Sequence, residues 1–190
     1  DNQTHAVLFG WIGLPDLTYP TDKFKWHSAL TLPRELRLEG TKIYQRPIAK
    51  IDKNLTALSA LHLNEKANIA NLDRAYLKFE ANNQAFDLTF FQNDKGQSLR
   101  LSYENGVVCL DRSQSEQTEL MEKFDTKRFC EIENLQTVEI FFDRSIIEIF
   151  LNHGEKVMTS RFFIENRENT ITSNRPLDLM IGYLPAIQYI

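Results

Sequence analysis

The chain carries only two cysteines among its 190 residues, Cys109 and Cys130. That is too few for a disulfide framework, and they lack the paired spacing of a zinc site. Both sit among apolar neighbours and read as reduced packing residues, which fits a reducing compartment and a cytoplasmic expectation. No apolar run approaches the ~20 residues that a membrane-crossing helix needs. The N-terminus also lacks a basic region followed by an apolar core, so neither a membrane partner nor a secretion signal is expected. Charge of one sign is scarce as well: Lys and Arg total 22 against 26 Asp and Glu, a formal net charge of -4, and the basic residues are scattered. Nucleic acid is therefore not expected as a partner. Glycine is sparse at seven, whereas phenylalanine reaches 13 and tyrosine six. That weighting favours sheets whose layers are filled by aromatic side chains. With 42% hydrophobic and 25% charged residues the chain reads as one globular domain with a modest appendage. It begins at Asp1 and not at Met, which favours a piece of a longer protein.

The N-terminal part reads as short strands broken by turns. Ala6 to Ile12 is an apolar run, Pro15 to Asp22 is rich in turn formers, and Ala29 to Leu32, Glu35 to Leu38 and Lys42 to Arg46 follow as strand pieces. Two or three such strands cannot bury both faces alone. Within Ile48 to Asn71, Leu55, Leu58 and Leu61 recur at three-residue spacing, which predicts helical turns in a connector. From Arg74 the pattern alternates. Strands are expected over Ala75 to Glu80, Ala85 to Phe91, Ser98 to Tyr103, Val107 to Asp111, Thr137 to Asp143, Ile146 to Asn152, Lys156 to Ile164 and Leu177 to Leu184. Asn- and Gly-bearing turns such as Glu104-Asn105-Gly106 separate them. Ser113 to Glu133 reads as a sheet-to-sheet crossing with a helical turn at Glu119 to Lys123. Around eight strands with regular turns predict two packed antiparallel sheets. In the hairpin around Asp143, one row of side chains is fully apolar and the other mixes Phe with Glu139 and Glu148, so its second face should be partly covered.

Two stretches carry a resemblance. Gly10 to Leu36 (GWIGLPDLTYPTDKFKWHSALTLPREL) and Phe142 to Glu155 (FDRSIIEIFLNHGE) are similar to signatures of glycoside hydrolase family 32, which includes invertases, β-fructofuranosidases and sucrose-6-phosphate hydrolases. The resemblance implies an all-β chain: a two-sheet antiparallel β-sandwich preceded by the last strands of a five-bladed β-propeller. The expected parts are residues 1–47 from the final blades, 48–73 as a linker with short helical turns, and 74–190 as the C-terminal sandwich. The implied reaction is hydrolysis of terminal β-fructofuranoside bonds with retention, which needs two carboxyl groups about 5 Å apart across the sugar. The family's Asn-Asp-Pro, Arg-Asp-Pro and Glu-Cys motifs are all absent here. Asn93-Asp94-Lys95-Gly96, Cys130-Glu131 and Asp143-Arg144 are near misses with a missing proline or reversed order. No catalytic residue is therefore expected in this chain, and no metal or cofactor. Sucrose, sucrose 6-phosphate or fructan would be met through a propeller lying upstream.

Within that resemblance, Trp11, Trp26 and Asp22 are candidates for the rim of the sugar pocket, the indoles by stacking on a sugar face and the carboxylate by accepting from hydroxyls. His27 is a further candidate for bonding a hydroxyl. Arg34 and Glu35 in Leu32-Pro33-Arg34-Glu35-Leu36 are expected to tie the propeller to the sandwich through hydrogen bonds. Glu148 resembles a family position with a structural, hydrogen-bonding role. Unpaired strands near the N-terminus are expected to be disordered, to fold back on the sandwich, or to pair with a second copy in a homodimer. The alternative is a stand-alone carbohydrate-binding sandwich that presents Phe90, Phe91, Tyr103 and Phe141 as a platform. Saturable binding of sucrose, fructose or fructan in calorimetry would single out that alternative.

Overall fold

A computed structural model describes residues 6–116 and 118–185; His5 lies outside them. The chain opens with β1 (Ala6–Leu8), β2 (Trp11–Ile12), β3 (Ala29–Leu30), β4 (Arg34–Glu39) and β5 (Lys42–Pro47). β4 pairs with both β1 and β5 in a three-stranded sheet, while β2 and β3 form a separate ribbon. The single apolar run expected over Ala6 to Ile12 is thus split at Phe9-Gly10, because the Gly10 carbonyl and amide turn aside to bond Thr31.

A short helix, α1 (Ala49–Lys53), leads into β6 (Thr56–Leu63) and β7 (Lys66–Asn68). Here the structure departs from the expected helical connector: Leu55, Leu58 and Leu61 flank or lie on a strand. Leu61 and Leu63 face the core, whereas Leu58 faces outward and stays exposed. A three-residue recurrence of leucine is compatible with a strand whose outer face also carries an apolar residue. β6 is held there by six-point pairing with the last strand of the fold.

The remaining elements are β8 (Ala75–Glu80), β9 (Phe86–Phe90), β10 (Leu99–Glu104), β11 (Val107–Asp111), α2 (Glu119–Lys123), β12 (Lys127–Glu131), β13 (Thr137–Asp143), β14 (Ile146–Leu151), β15 (Lys156–Arg161), β16 (Thr170–Ser173) and β17 (Leu177–Tyr183). They form two six-stranded antiparallel sheets in the orders β12-β11-β10-β9-β16-β7 and β15-β14-β13-β8-β17-β6. The sheets make the expected sandwich. α2 falls on the expected residues, but the stretch around it is no crossing between sheets, since β12 returns to pair with β11. Asn105 and Gly106 both take positive φ in the two-residue turn between β10 and β11, the backbone such a turn requires.

The core lies between the two sheets. Leu88, Phe90, Leu101 and Leu110 meet Leu77, Ile140, Phe142, Ile149 and Leu179 across it. Phe142 stands near the centre of an aromatic group, with ring centroids 5.2 Å from Phe90 and 5.0 Å from Phe91. Every residue of β14 is buried, on both faces. The second face is covered as the mixed row predicts: Tyr76, Phe141 and Phe150 pack under Leu32, Ile51 and Leu55 from the preceding segment. Leu32, Ile51 and Leu55 thus fold onto the sandwich, whereas Val7, Phe9 and Trp11 nearer the N-terminus stay exposed.

The backbones of the two parts come close in that seam at Gly154. Its φ is +91°, and a Cβ there would stand 2.0 Å from the Gln45 carbonyl oxygen on β5. Gly154→Ala is expected to destabilise the chain by about 2–3 kcal/mol, from backbone strain and overlap together. Urea denaturation of the variant against the parent chain checks this, and an unchanged midpoint would show that the seam opens freely.

Candidate functional site

Polar side chains hold the seam together. Directly after Pro33, Arg34 opens β4 with its guanidinium turned toward the outer face of β14. Arg34 Nη2 donates to Glu148 Oε2 at 2.5 Å and to Thr159 Oγ1 at 2.6 Å, and Nη1 donates to Gln45 Oε1 at 3.1 Å. The other oxygen of Glu148 accepts from the Leu32 amide at 2.6 Å. Arg34 and Glu148 are both buried, and the guanidinium lies 5.3 Å from the centre of the Phe150 ring. Burial pushes the Glu148 carboxyl up, while the bonds from Arg34 and Leu32 pull it down. A charged pair in such a place is tolerable only because each partner is hydrogen-bonded further. Glu35 points to the other side of the strand, where it lines a cavity of about 390 Å³ with Arg46, Asp52 and His153. The two residues expected to act together therefore serve opposite faces.

The rim candidates fall on two elements. Asp22 and Trp26 share the loop from Leu14 to His27, whereas Trp11 lies on the β2–β3 ribbon opposite Leu30 and is exposed. No hydrogen bond or ring contact joins Trp11 to the other two among the described residues. Asp22 sits in a short 3₁₀ turn, where Oδ2 accepts from the Tyr19 amide at 2.9 Å and Oδ1 pairs with His27 Nδ1 at 2.9 Å. The Tyr19 amide first, then His27, holds the Asp22 carboxyl below its ordinary value. Trp26 is half-exposed and lies over the guanidinium of Arg161 at 5.1 Å. Beside it, Phe24, Trp26, Arg144 and Arg167 line an open groove of about 550 Å³.

His27 gives this loop a pH dependence. Its Nε2 bonds the Leu14 carbonyl at 3.0 Å and its Nδ1 the Asp22 carboxylate, so two acceptors are satisfied only by the imidazolium. The Leu14 bond first, then Asp22, raises its pKa above 6.5. A raised folded-state value means that the stabilisation is complete below the unfolded value and fades as pH climbs through the folded one. NMR titration of the imidazole protons is expected to give a midpoint above 6.5 that falls in Asp22→Asn. An ordinary midpoint in the parent chain would remove the ion pair from this account.

Other candidates resolve differently. Phe90, Phe91, Tyr103 and Phe141 are all buried, so they cannot form the exposed platform of a carbohydrate-binding module. The Tyr103 hydroxyl is spent on Asn83 at 2.6 Å. Asn93 closes its own loop by accepting from the Lys95 and Gln97 amides. Cys130-Glu131 lies on the edge strand β12, and Asp143-Arg144 makes the turn between β13 and β14. Among the described residues no group of three His, Cys, Asp or Glu side chains could hold a metal, and no helix is long and apolar enough to cross a membrane. Sequence reasoning passed over Arg161. Its one signal is a cation followed directly by the apolar run Phe162-Phe163-Ile164.

Comparison with known proteins bears on the whole chain. The family model described as glycosyl hydrolases family 32 C terminal matches residues 36–175, and that of the family 32 N-terminal domain matches residues 1–47. A sucrose-6-phosphate hydrolase of Streptococcus mutans is 34% identical over 93% of this chain, and one of Bacillus subtilis 29% over 96%. The solved structure of a sucrose-6-phosphate hydrolase from Lactobacillus gasseri superposes with a TM-score of 0.83 at 26% identity, covering 97% of this chain and 39% of that one. A family 32 β-fructofuranosidase from Bombyx mori shares the fold, with a TM-score of 0.76 at 22% identity over 98% of this chain and 40% of its own. The chain spans 36% of the Streptococcus mutans relative and 39% of the Bacillus subtilis one. With a match that runs over most of its length and a sandwich of the same build, the chain belongs to glycosyl hydrolase family 32.

Proposed function

We propose that this chain is the C-terminal part of an enzyme that hydrolyses the terminal β-fructofuranoside bond of sucrose or sucrose 6-phosphate with retention, and that its own role is structural. The observation that carries this reading is the end-to-end match to sucrose-6-phosphate hydrolases, over 93% of this chain but 36% of the Streptococcus mutans protein. The family's three carboxylate motifs have no counterpart in residues 1–190. Retaining hydrolysis needs a nucleophile and an acid/base on either side of the sugar, and in this reading both lie upstream. Residues 1–47 are then the last propeller strands. Their exposed Val7, Phe9, Trp11, Leu38 and Ile43 are the surface that upstream blades would cover. Without that cover the same surface favours a second copy, which sedimentation would detect as a dimer.

Arg34, Glu148 and the apolar layer of Leu32, Ile51 and Leu55 would hold the sandwich against the propeller. A phosphorylated sugar is charged and does not cross a bilayer unaided, and the two cysteines are free, so we place the enzyme in the cytoplasm. The test is fructose release from sucrose and from sucrose 6-phosphate by the purified chain. No turnover above the blank is expected, and sustained turnover would overturn both the structural role and the upstream placement of the carboxylates.

A further inference from the structure

Arg161 ends β15 and is 3% exposed, yet no carboxylate bonds its guanidinium among the described residues. Its donors go instead to the loop: Nη1 to the His27 carbonyl at 3.3 Å and Nη2 to Thr21 Oγ1 at 3.1 Å. Three rings surround the cation, with centroids of Tyr19, Trp26 and Phe163 at 5.0, 5.1 and 5.0 Å. Two of those rings belong to the loop and one to the sandwich. A planar guanidinium can fork to two acceptors and stack on aromatic faces at once, which an ammonium cannot.

The rest of the loop is tied to the same point. Tyr19 packs edge-on against His27 at 4.9 Å, and His27 bonds Asp22 and Leu14. Arg161 is itself anchored, because its carbonyl accepts from Nη1 of the buried Arg112 at 3.2 Å. Arg112 Nη2 in turn donates to the Asp125 carbonyl at 2.9 Å. A connected chain of bonds therefore runs from the segment before β12, through two buried arginines, to the loop that presents Asp22 and Trp26.

We infer that Arg161 is a positioning residue: through it the sandwich sets the shape of the Leu14 to His27 loop, and with it the place of Trp26 and Asp22 at the sugar pocket. The link to the pocket rests on the function proposed above and on the expectation, from the family resemblance, that Trp26 and Asp22 belong to the pocket rim; the lock on the loop does not. It gives the sandwich, which carries no catalytic motif, a route by which to act on substrate affinity.

The test uses Arg161→Lys and Arg161→Met in two settings. In the chain itself, amide exchange over Tyr19 to His27 is expected to speed up by about tenfold or more in both variants, while β13 and β14 keep their protection. Should Arg161→Met fail to fold, Arg161→Lys decides. Unchanged loop exchange in a folded variant overturns the inference, whatever the enzyme's reaction. In the enzyme that includes the upstream part, KM for sucrose 6-phosphate is expected to rise about tenfold with kcat within about twofold, Arg161→Lys lying between parent and Arg161→Met. A loosened loop with unchanged KM overturns the link between loop and sugar. An enzyme that cleaves no fructoside overturns the proposed function, and the exchange result still reads the lock by itself.

Discussion

Arg34→Ala is expected to destabilise the chain by about 3–5 kcal/mol, the cost of leaving one half of a buried ion pair without its partner. Glu148 would keep a single bond, from the Leu32 amide, inside a layer closed by Phe150 and Leu32. Thr159 Oγ1 and Gln45 Oε1 would lose their donor as well. Glu148→Gln reverses the experiment: it keeps the shape and leaves the Arg34 charge unneutralised, so a loss of the same order is expected. Replacing both residues by apolar side chains of similar volume should cost far less than the sum of the single changes, since the charges then disappear together. Urea denaturation across this double-mutant cycle reads the outcome. Additive losses would show that the two side chains act independently, against the geometry.

Phe142→Ala is expected to cost a further and separate ~3–5 kcal/mol, this time from the core between the sheets. Phe142 touches Phe90 from the opposite sheet and Phe91 and Phe162 from segments beside it, with the Phe162 centroid at 6.1 Å. Backbone pairing on both sides of β13 keeps the neighbours from closing the space that the ring would vacate. The control is Phe129→Ala on β12, where the ring is 67% exposed and a change within about 0.5 kcal/mol is expected. Thermal and urea unfolding of the two variants side by side check the contrast. Equal losses at the two positions would mean that the sheets do not pack as described.

Those two sites also show what the sequence could and could not reveal. Phe142 was legible because period-two alternation with Val138 and Ile140 assigns it to one face, and the turn at Arg144-Ser145 fixes its register with Ile147. The strands that alternation missed are those with little to alternate. β12 turns Phe129 to solvent and sets only Cys130 against the core, and β7 and β16 are three and four residues long. β6 was masked by a leucine on its outer face. Arg34 stood out because it follows Leu32-Pro33, but its partner Glu148 is 114 positions away. Arg161 reaches Thr21 across 140 positions. Local spacing carries no record of such pairings, since the folding of the segment onto the sandwich brings them together. The platform alternative fails for a related reason: alternation does not tell whether the faces of Phe90 and Phe141 are open or covered, and the layers that cover them come from other segments of the chain.

The account stands most directly on the coding sequence immediately before Asp1. Reading it is expected to find an in-frame propeller region carrying the Asn-Asp-Pro, Arg-Asp-Pro and Glu-Cys motifs, which would supply the carboxylates that residues 1–190 lack. A start codon at that point with no such region in frame would contradict the proposal, and leave a family 32 sandwich without the machinery to hydrolyse a fructoside.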